Sequence, residues 1–302
     1  MPTYLIVPPT GGVDRLLGIA APLDGPVVAL VVGDTARAES VAHSGVDEVR
    51  WIEAAPQVPA EAYAAAVAGI VTSAPGVLLA GRDPASRVLL GAAAGAIGAP
   101  VLVGVDEVST EAGTVVVQHG VYGGIAQRTT VFDGPVALMI DAGGVTAQAG
   151  AAPITAVEAT PQSITLVSAR STGGGAVDLP AARRVLGVGR GVKAQADLAL
   201  AQDLATALDA ELGCTRPLAE GLEWLPKNRY IGISGAHIQP DLYLAVGVSG
   251  QLQHMAGVRA SGTIVAINSD PSAPVMDDAD YQVVGDLYKV LPALVAELAG
   301  NA

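Results

Sequence analysis

The chain has 302 residues, 51% of them hydrophobic but only 3% aromatic, and carries a formal net charge of −13. That length exceeds one ordinary core and points to two domains, packed through aliphatic side chains and close backbone approach. An acidic chain without a block of Lys or Arg excludes nucleic acid as a partner, because binding a phosphate backbone needs clustered cations.

Cys214 is the single cysteine, so the chain alone makes no disulfide and no thiolate metal site. Residues Met1–Val7 show neither a basic region nor a long apolar stretch of the secretory kind, and the expected address is the cytoplasm. Val88 to Val105 runs without a charge and carries Gly91 and Gly95 at GxxxG spacing. Gly98 and Pro100 interrupt it, so it reads as a soluble helix, a turn and a buried strand, with no membrane span.

Short β-branched runs alternate with Ala-rich segments of helical length through the first 150 residues or so, the pattern of parallel strands joined by crossover helices. Strands are predicted at Tyr4–Val7, Val27–Val32, Glu48–Trp51, Val77–Leu79 and Val101–Val103, with helices at Ala36–His43, Ala60–Thr72 and Pro84–Ile97. Thr114–His119, Thr129–Phe132 and Val136–Ile140 then follow one another as antiparallel strands that finish the domain. The run Ser171-Thr172-Gly173-Gly174-Gly175, closed by Asp178-Leu179-Pro180, sets a boundary between domains 1–175 and 176–302. Beyond it strands are predicted at Val185–Val188, Tyr230–Ile233, Leu242–Val246, Thr263–Ile267 and Gln282–Val284. The helices of this half are Ala196–Leu212, Gln251–Ala256 and Leu287–Leu298.

Two strand-ends of the second half carry chemistry. Gly189-Arg190-Gly191 follows one apolar strand, and Gly247-Val248-Ser249-Gly250-Gln251 follows another and opens a helix. Parallel sheets bind ligands at the carboxyl ends of their strands, where glycines admit a phosphate to the backbone and a helix start offers free N–H groups. Gly/Ser turns before helices are common, so this segment by itself leaves an ordinary structural turn open.

The whole stretch Pro226 to Leu298 decides the matter. Gln239-Pro240-Asp241-Leu242-Tyr243-Leu244-Ala245-Val246-Gly247-Val248-Ser249-Gly250-Gln251-Leu252-Gln253-His254-Met255-Ala256-Gly257 resembles the signature of electron transfer flavoprotein alpha subunits. Thr263 to Pro274, Ala279-Asp280-Tyr281 and Gly285-Asp286-Leu287-Tyr288-Lys289 continue the resemblance in register. Upstream, Gly187-Val188-Gly189-Arg190-Gly191-Val192-Lys193 is similar to the family's arginine loop, and Cys214-Thr215-Arg216-Pro217 to its Ser-Arg turn with threonine substituted. The first half matches more loosely, around Gly81-Arg82-Asp83 through Val103 and at Val121-Tyr122-Gly123-Gly124. One departure is Ile233-Ser234-Gly235-Ala236, where relatives carry a Gln-Thr-Gly-Lys run; a hydroxyl and a glycine remain, an amide and a charge are lost.

The resemblance implies an α/β fold of two domains. The first is a parallel-sheet, nucleotide-binding-like domain of the adenine nucleotide alpha hydrolase type; the second is a doubly wound FAD-binding domain. It implies FAD as cofactor, with Arg190 against the flavin ring, where a cation stabilises the charge of reduction. His254, assisted by Gln253, would donate an N–H or carry a charge at the pyrimidine carbonyl edge. Ser234 would reach flavin N5, and Ile231, Gly232 and Ile233 lead into that turn and belong to the site. Gly247, Val248, Ser249, Gly250 and Gln251 would meet ribityl and phosphate groups, Thr215 and Arg216 the diphosphate or ribityl chain, and Asn268, Asp286 and Leu287 the adenosine end.

No serine–histidine–acid spacing, metal-ligand cluster or paired-carboxylate motif points to substrate conversion. The implied role is an electron carrier for fatty acid β-oxidation or a related path, paired with a beta subunit. It would take electrons from flavoprotein dehydrogenases such as acyl-CoA dehydrogenases and release them to a quinone-reducing or other acceptor. A nucleotide-binding structural subunit without redox activity is the alternative. An NAD-dependent enzyme fits less, since no GxGxxG with an acidic residue about twenty positions on is present.

Overall fold

In the computed structural model, which describes residues 1–122, 125–140, 144–164, 167, 168, 177 and 179–300, the aliphatic runs of the first half become the strands of one parallel sheet. The chain divides into two compact units, Met1–Ser171 and Thr172–Ala302. The glycine run Ser171–Gly175 and Asp178, on which the sequence-based boundary rests, lie outside the described residues, as do Gly123 and Gly124.

The first unit opens with β1 (Thr3–Val7), α1 (Asp14–Ala20), β2 (Val27–Gly33), α2 (Thr35–Ala42) and β3 (Glu48–Glu53). A 3₁₀ turn at Ala60–Tyr63 leads into α3 (Ala64–Ser73), followed by β4 (Val77–Ala80), α4 (Pro84–Ile97) and β5 (Val101–Val103). The antiparallel strands β6 (Val105–Glu111), β7 (Thr114–Val121) and β8 (Ala126–Phe132) form a separate three-stranded sheet. β9 (Ala137–Met139) and β10 (Ile154–Ala156) return to the main sheet, whose order is β10-β3-β2-β1-β4-β9-β5.

Period-two alternation explains how that sheet is covered. Tyr4 and Ile6 pack with α3 and α4, while Leu5 and Val7 pack with α1, α2 and apolar residues of β6 and β7. The expectation of an antiparallel Val136–Ile140 is corrected: β9 lies parallel between β4 and β5. Ala137 and Leu138 are wholly buried, and a short run that is apolar on both faces belongs inside a parallel sheet. The uncharged stretch after Val88 is the rest of α4, ended by Gly98 in the left-handed region (φ 65), and then β5, which is corrected from a buried strand to an edge strand with Val101 and Val103 exposed. Among the described residues no helix is long and apolar enough to cross a membrane.

The second unit contains β11 (Arg184–Val188), α5 (Leu198–Ala207), β12 (Glu211–Cys214), β13 (Leu242–Val246), α6 (Leu252–Met255), β14 (Thr263–Asn268), α7 (Pro274–Asp277), β15 (Tyr281–Val284) and α8 (Leu287–Gly300). All its strands are parallel, in the order β12-β11-β13-β14-β15. One face packs on α5 and α8 through Leu186, Val188, Leu244 and Val246; the other buries Val185, Tyr243 and Ala245 against Met255, Val275 and Met276.

Two expectations fail here. The helix predicted over Ala196–Leu212 ends at Ala207, because Asp209 takes a left-handed conformation (φ 50) and Leu212 is drawn into β12 beside β11. The strand predicted at Tyr230–Ile233 is only a pair of isolated bridges, Cys214 to Tyr230 and Ile231 to Ala236. Gly232 (φ 150) and Gly235 turn the chain before a ladder can form.

Two substitutions test these local arguments. Asp83 accepts the Ser86 N–H at 2.9 Å ahead of Pro84 at the first turn of α4, so Asp83→Ala should cost about 1 kcal/mol of stability. Gly250 is left-handed (φ 79), and a Cβ there would strike the Val275 backbone. Gly250→Ala should therefore cost more than the ~1–2 kcal/mol of the backbone conformation alone. Denaturant unfolding reads both; a Gly250→Ala protein as stable as the parent would contradict the packing described.

Candidate functional site

The chain leaves the adjacent central strands β11 and β13 through glycines, and the two exits cross almost in contact. Gly189 N–H donates to Val246 O at 2.9 Å and Gly191 N–H to Gly247 O at 3.0 Å. A Cβ on Gly189 would lie 2.7 Å from Val248 Cα, and one on Gly191 would lie 2.6 Å from Gly247 Cα. Gly247 itself is left-handed (φ 59). With no side chains in the way, a cleft of about 1270 Å³ opens over the carboxyl ends of the strands, a size for a large nucleotide-type ligand.

All but three of the residues expected at the site line this cleft. Arg190 is exposed at its edge, with no hydrogen bond or ion pair to other described residues. Arg216 lies at the rim, 2.6 Å from Glu220 one helical turn on. That contact raises the arginine and lowers the glutamate from their ordinary pKa values. Ser234 is exposed and shares a 3.1 Å hydrogen bond with the Tyr230 hydroxyl. Ile233, also exposed, is held by its N–H donating to Gln253 O at 2.7 Å.

Val248, Ser249 and Gln251 line the loop after β13, and Val275 N–H donates to Ser249 O. Asn268 fixes that loop: its Nδ2 donates to Val248 O at 2.8 Å while its Oδ1 accepts the Asp270 N–H. Asp286 accepts the Tyr288 N–H at the start of α8, and Leu287 is buried beneath it. Ile231, Gly232 and Gly250 do not line the cleft. They sit beneath its wall, where Gly232 lets the 231–236 turn lie against Gln253 O and Gly250 lets the chain pass Val275.

The sequence-based set left out Lys193, Tyr230, Asp270 and Tyr288, which also line the cleft. Lys193 Nζ stands 5.4 Å over the Tyr288 ring, whose hydroxyl accepts the Lys193 N–H at 2.8 Å and donates to Asp197 at 2.6 Å. Lys193 ends the arginine loop and Asp197 lies just before α5, 95 and 91 residues from Tyr288 at the start of α8. The signal for them was a tyrosine directly after the Asp286-Leu287 pair, inside the quoted motif.

His254 lines the cleft from a buried position. The residue is 7% exposed, with Nδ1 3.0 Å from Ile231 O and Nε2 2.7 Å from the Tyr243 hydroxyl. Both nitrogens are engaged inside the protein, so neither offers an N–H to the cleft as it stands. Burial lowers its pKa to about 4, against the raising effect of the Ile231 carbonyl, and the imidazole is neutral at pH 7.

Thr215 supplies a test of what the cleft could hold. Its Oγ1 is buried without a partner although the residue lines the cleft. A buried hydroxyl left unpaired is costly, and a ligand oxygen or N–H beside it would satisfy it. Cations at Arg190, Lys193 and Arg216, the glycine-bared backbone and this hydroxyl fit a ligand that combines phosphates with a flat ring.

Comparison with known proteins agrees with that geometry. Residues 178–259 match the family model of the electron transfer flavoprotein FAD-binding domain, and residues 15–162 match that of the electron transfer flavoprotein domain. YdiR of Escherichia coli (strain K12), whose name describes an electron transfer flavoprotein subunit, is 37% identical over 249 residues, 79% of each chain. Protein FixB of Escherichia coli O139:H28 (strain E24377A / ETEC) is 42% identical over 199 residues, 64% of each chain. The chain belongs to the electron transfer flavoprotein alpha subunit family.

Proposed function

We propose that the cleft of the second unit holds FAD and that the chain works as an electron carrier rather than a substrate-converting enzyme. It pairs with a beta subunit, takes electrons from flavoprotein dehydrogenases, acyl-CoA dehydrogenases of fatty acid β-oxidation among them, and passes them to a quinone-reducing or other acceptor in the cytoplasm. In this reading residues 1–175 form the first domain and residues 176–302 the cofactor domain. One observation carries it: the unpartnered Thr215 hydroxyl, the glycine crossing and the unpaired Arg190 converge on one cleft. Most of its lining lies within the stretch that matches the FAD-binding domain.

When bound, FAD supplies a ring that takes up and gives up electrons. The chain binds, orients and biases. Ser249, Gln251, Thr215 and Arg216 hold the ribityl and diphosphate portion, through hydrogen bonds and through backbone N–H groups that Gly247 and Gly250 leave accessible. Asn268 keeps that loop in place from beneath, and Asp286 takes the adenosine hydroxyls, as a carboxylate at a strand-end suits. Ser234 presents its hydroxyl to the ring while Tyr230 orients it. Gln253 and His254 wall the far side.

Arg190 supplies the positive charge. It is free of internal partners, so it can settle against the ring without giving up an ion pair, unlike Arg216, which Glu220 already engages. A Coulomb contribution of about 1–3 kcal/mol raises a one-electron potential by roughly 40–130 mV. Arg190→Ala should lower the flavin potential by that amount, and Arg190→Lys should restore part of it, in redox titration of the two-subunit complex. An unchanged potential in Arg190→Ala would contradict the assignment. A complex that purifies without the yellow colour of flavin would contradict the function itself.

A further inference from the structure

Residues 193–196, which follow the arginine loop, are exposed, and Tyr288 ties them to the start of α8. Its hydroxyl accepts the Lys193 N–H at 2.8 Å and donates its own hydrogen to Asp197 Oδ2 at 2.6 Å. The directions follow from chemistry: a backbone N–H only donates and a carboxylate only accepts, so the hydroxyl oxygen takes the first and gives its hydrogen to the second. The same Oδ2 accepts the Ala194 N–H at 3.2 Å, closing the 3₁₀ turn Gln195–Asp197 that leads into α5. A hydroxyl-to-carboxylate bond is of the strong, charge-assisted kind. Burial first, and the bond to Asp197 second, raise the Tyr288 pKa, so the tyrosine keeps its hydrogen at neutral pH. The Lys193 ammonium, 5.4 Å over the ring, adds a cation–π contact to the same side chain. Leu287, one residue earlier, is buried, with Cδ2 within 3.2 Å of where side chains on Gly191 and Gly247 would begin. Consecutive residues of α8 thus serve the two halves of the loop: Leu287 fills the space beside the glycine crossing, and Tyr288 holds what comes after it.

We propose that the Tyr288 hydroxyl is a strap that joins the arginine loop to the start of α8 and keeps these two walls of the cleft together around FAD, with Tyr288 and Asp197 as positioning residues for the cofactor. This rests on the reading of the cleft as a FAD site. Arg190 and Gly191 from the loop, and Asp286 and Leu287 from the start of α8, all line that cleft. A site built from two segments so far apart in sequence must hold them at a fixed separation before the ligand arrives, or spend part of the ligand's binding energy on ordering them. The glycine crossing fixes the loop as far as Gly191, through the bond to Gly247 O. Beyond it, the bond from Lys193 to Tyr288 takes over. Phenylalanine at position 288 would keep the ring and the place of Lys193 over it, and would lose both hydrogen bonds at once. The Lys193 N–H is exposed and Asp197 partly so; water takes up both freed groups and the fold survives the change.

Amide hydrogen exchange on the full chain without FAD reads the strap itself, and the rate of FAD release from the complex with the beta subunit reads its consequence. Tyr288→Phe should speed exchange at amides 193–197 and FAD release by roughly threefold to tenfold each, the scale of the lost hydrogen bonds, and leave the amides of β11 and β13 at their parent rates. Asp197→Ala should act in the same way, whereas Asp197→Asn, which keeps an oxygen to accept from the tyrosine, should restore the parent values. The double variant Tyr288→Phe with Asp197→Ala should fall short of the sum of the two, because both break one shared bond. Asp197→Ala carries the test if Tyr288→Phe does not fold. Parent rates of exchange at 193–197 in both single variants overturn the proposal, and so does exchange that quickens while FAD release stays unchanged. Quickened exchange in a complex that takes up no FAD sustains the strap and counts against the cofactor reading instead.

Discussion

The site depends on the near-contact of two backbones at the ends of β11 and β13. Gly189 and Gly191 on one exit and Gly247 on the other allow main-chain atoms to approach where any side chain would force them apart, and two hydrogen bonds lock the crossing. The remaining lining is arranged around that crossing. The loop after Gly247 and the arginine loop both leave it to line the cleft, and Asn268 ties down the first through Val248 O. A cradle of bare backbone at the ends of parallel strands accepts phosphates without side-chain rearrangement, since the donors are fixed by the sheet before any ligand arrives.

Charge in the cleft is divided by partnership rather than by number. Arg216 is held by Glu220 and Lys193 rests on the Tyr288 ring, whereas Arg190 has no internal counterpart among the described residues. An unpaired, exposed cation keeps its hydration and freedom until something planar and electron-rich displaces water, and then contributes its full differential interaction. His254, although at the same wall, is desolvated and committed to two internal partners. The site therefore sets an unpaired cation, Arg190, in the same cleft as a buried histidine with two internal partners.

Much of this was legible in the sequence, and the failures have physical causes. The strands β1, β2, β4 and β5 announced themselves because each is a short aliphatic run bounded by Gly, Pro or Asp, and Gly98 ends α4 as its type and position predict. The glycine-bearing strand-ends were readable because close approach leaves no alternative residue. β12 and the end of α5 were not, because Leu212 also fits a helical period and only its place beside β11 decides between the two states. β9 was misread because a three-residue apolar run carries no sign of parallel or antiparallel pairing. Lys193 and Tyr288 escaped the site for a related reason: each meets the cleft through a contact spanning 95 residues, which no local pattern encodes. The internal partners of His254 were not readable, because Ile231 and Tyr243 come from separate segments.

The central claim is that the loops at the carboxyl ends of the five strands in the second unit enclose FAD. Amide hydrogen exchange, measured on the chain with its beta subunit in the presence and absence of FAD, addresses it directly. The account predicts that FAD slows exchange at amides 189–193, 247–251 and 285–288 far more than in the first unit's sheet. FAD that binds while those amides exchange at their original rates would place the cofactor elsewhere and contradict the account.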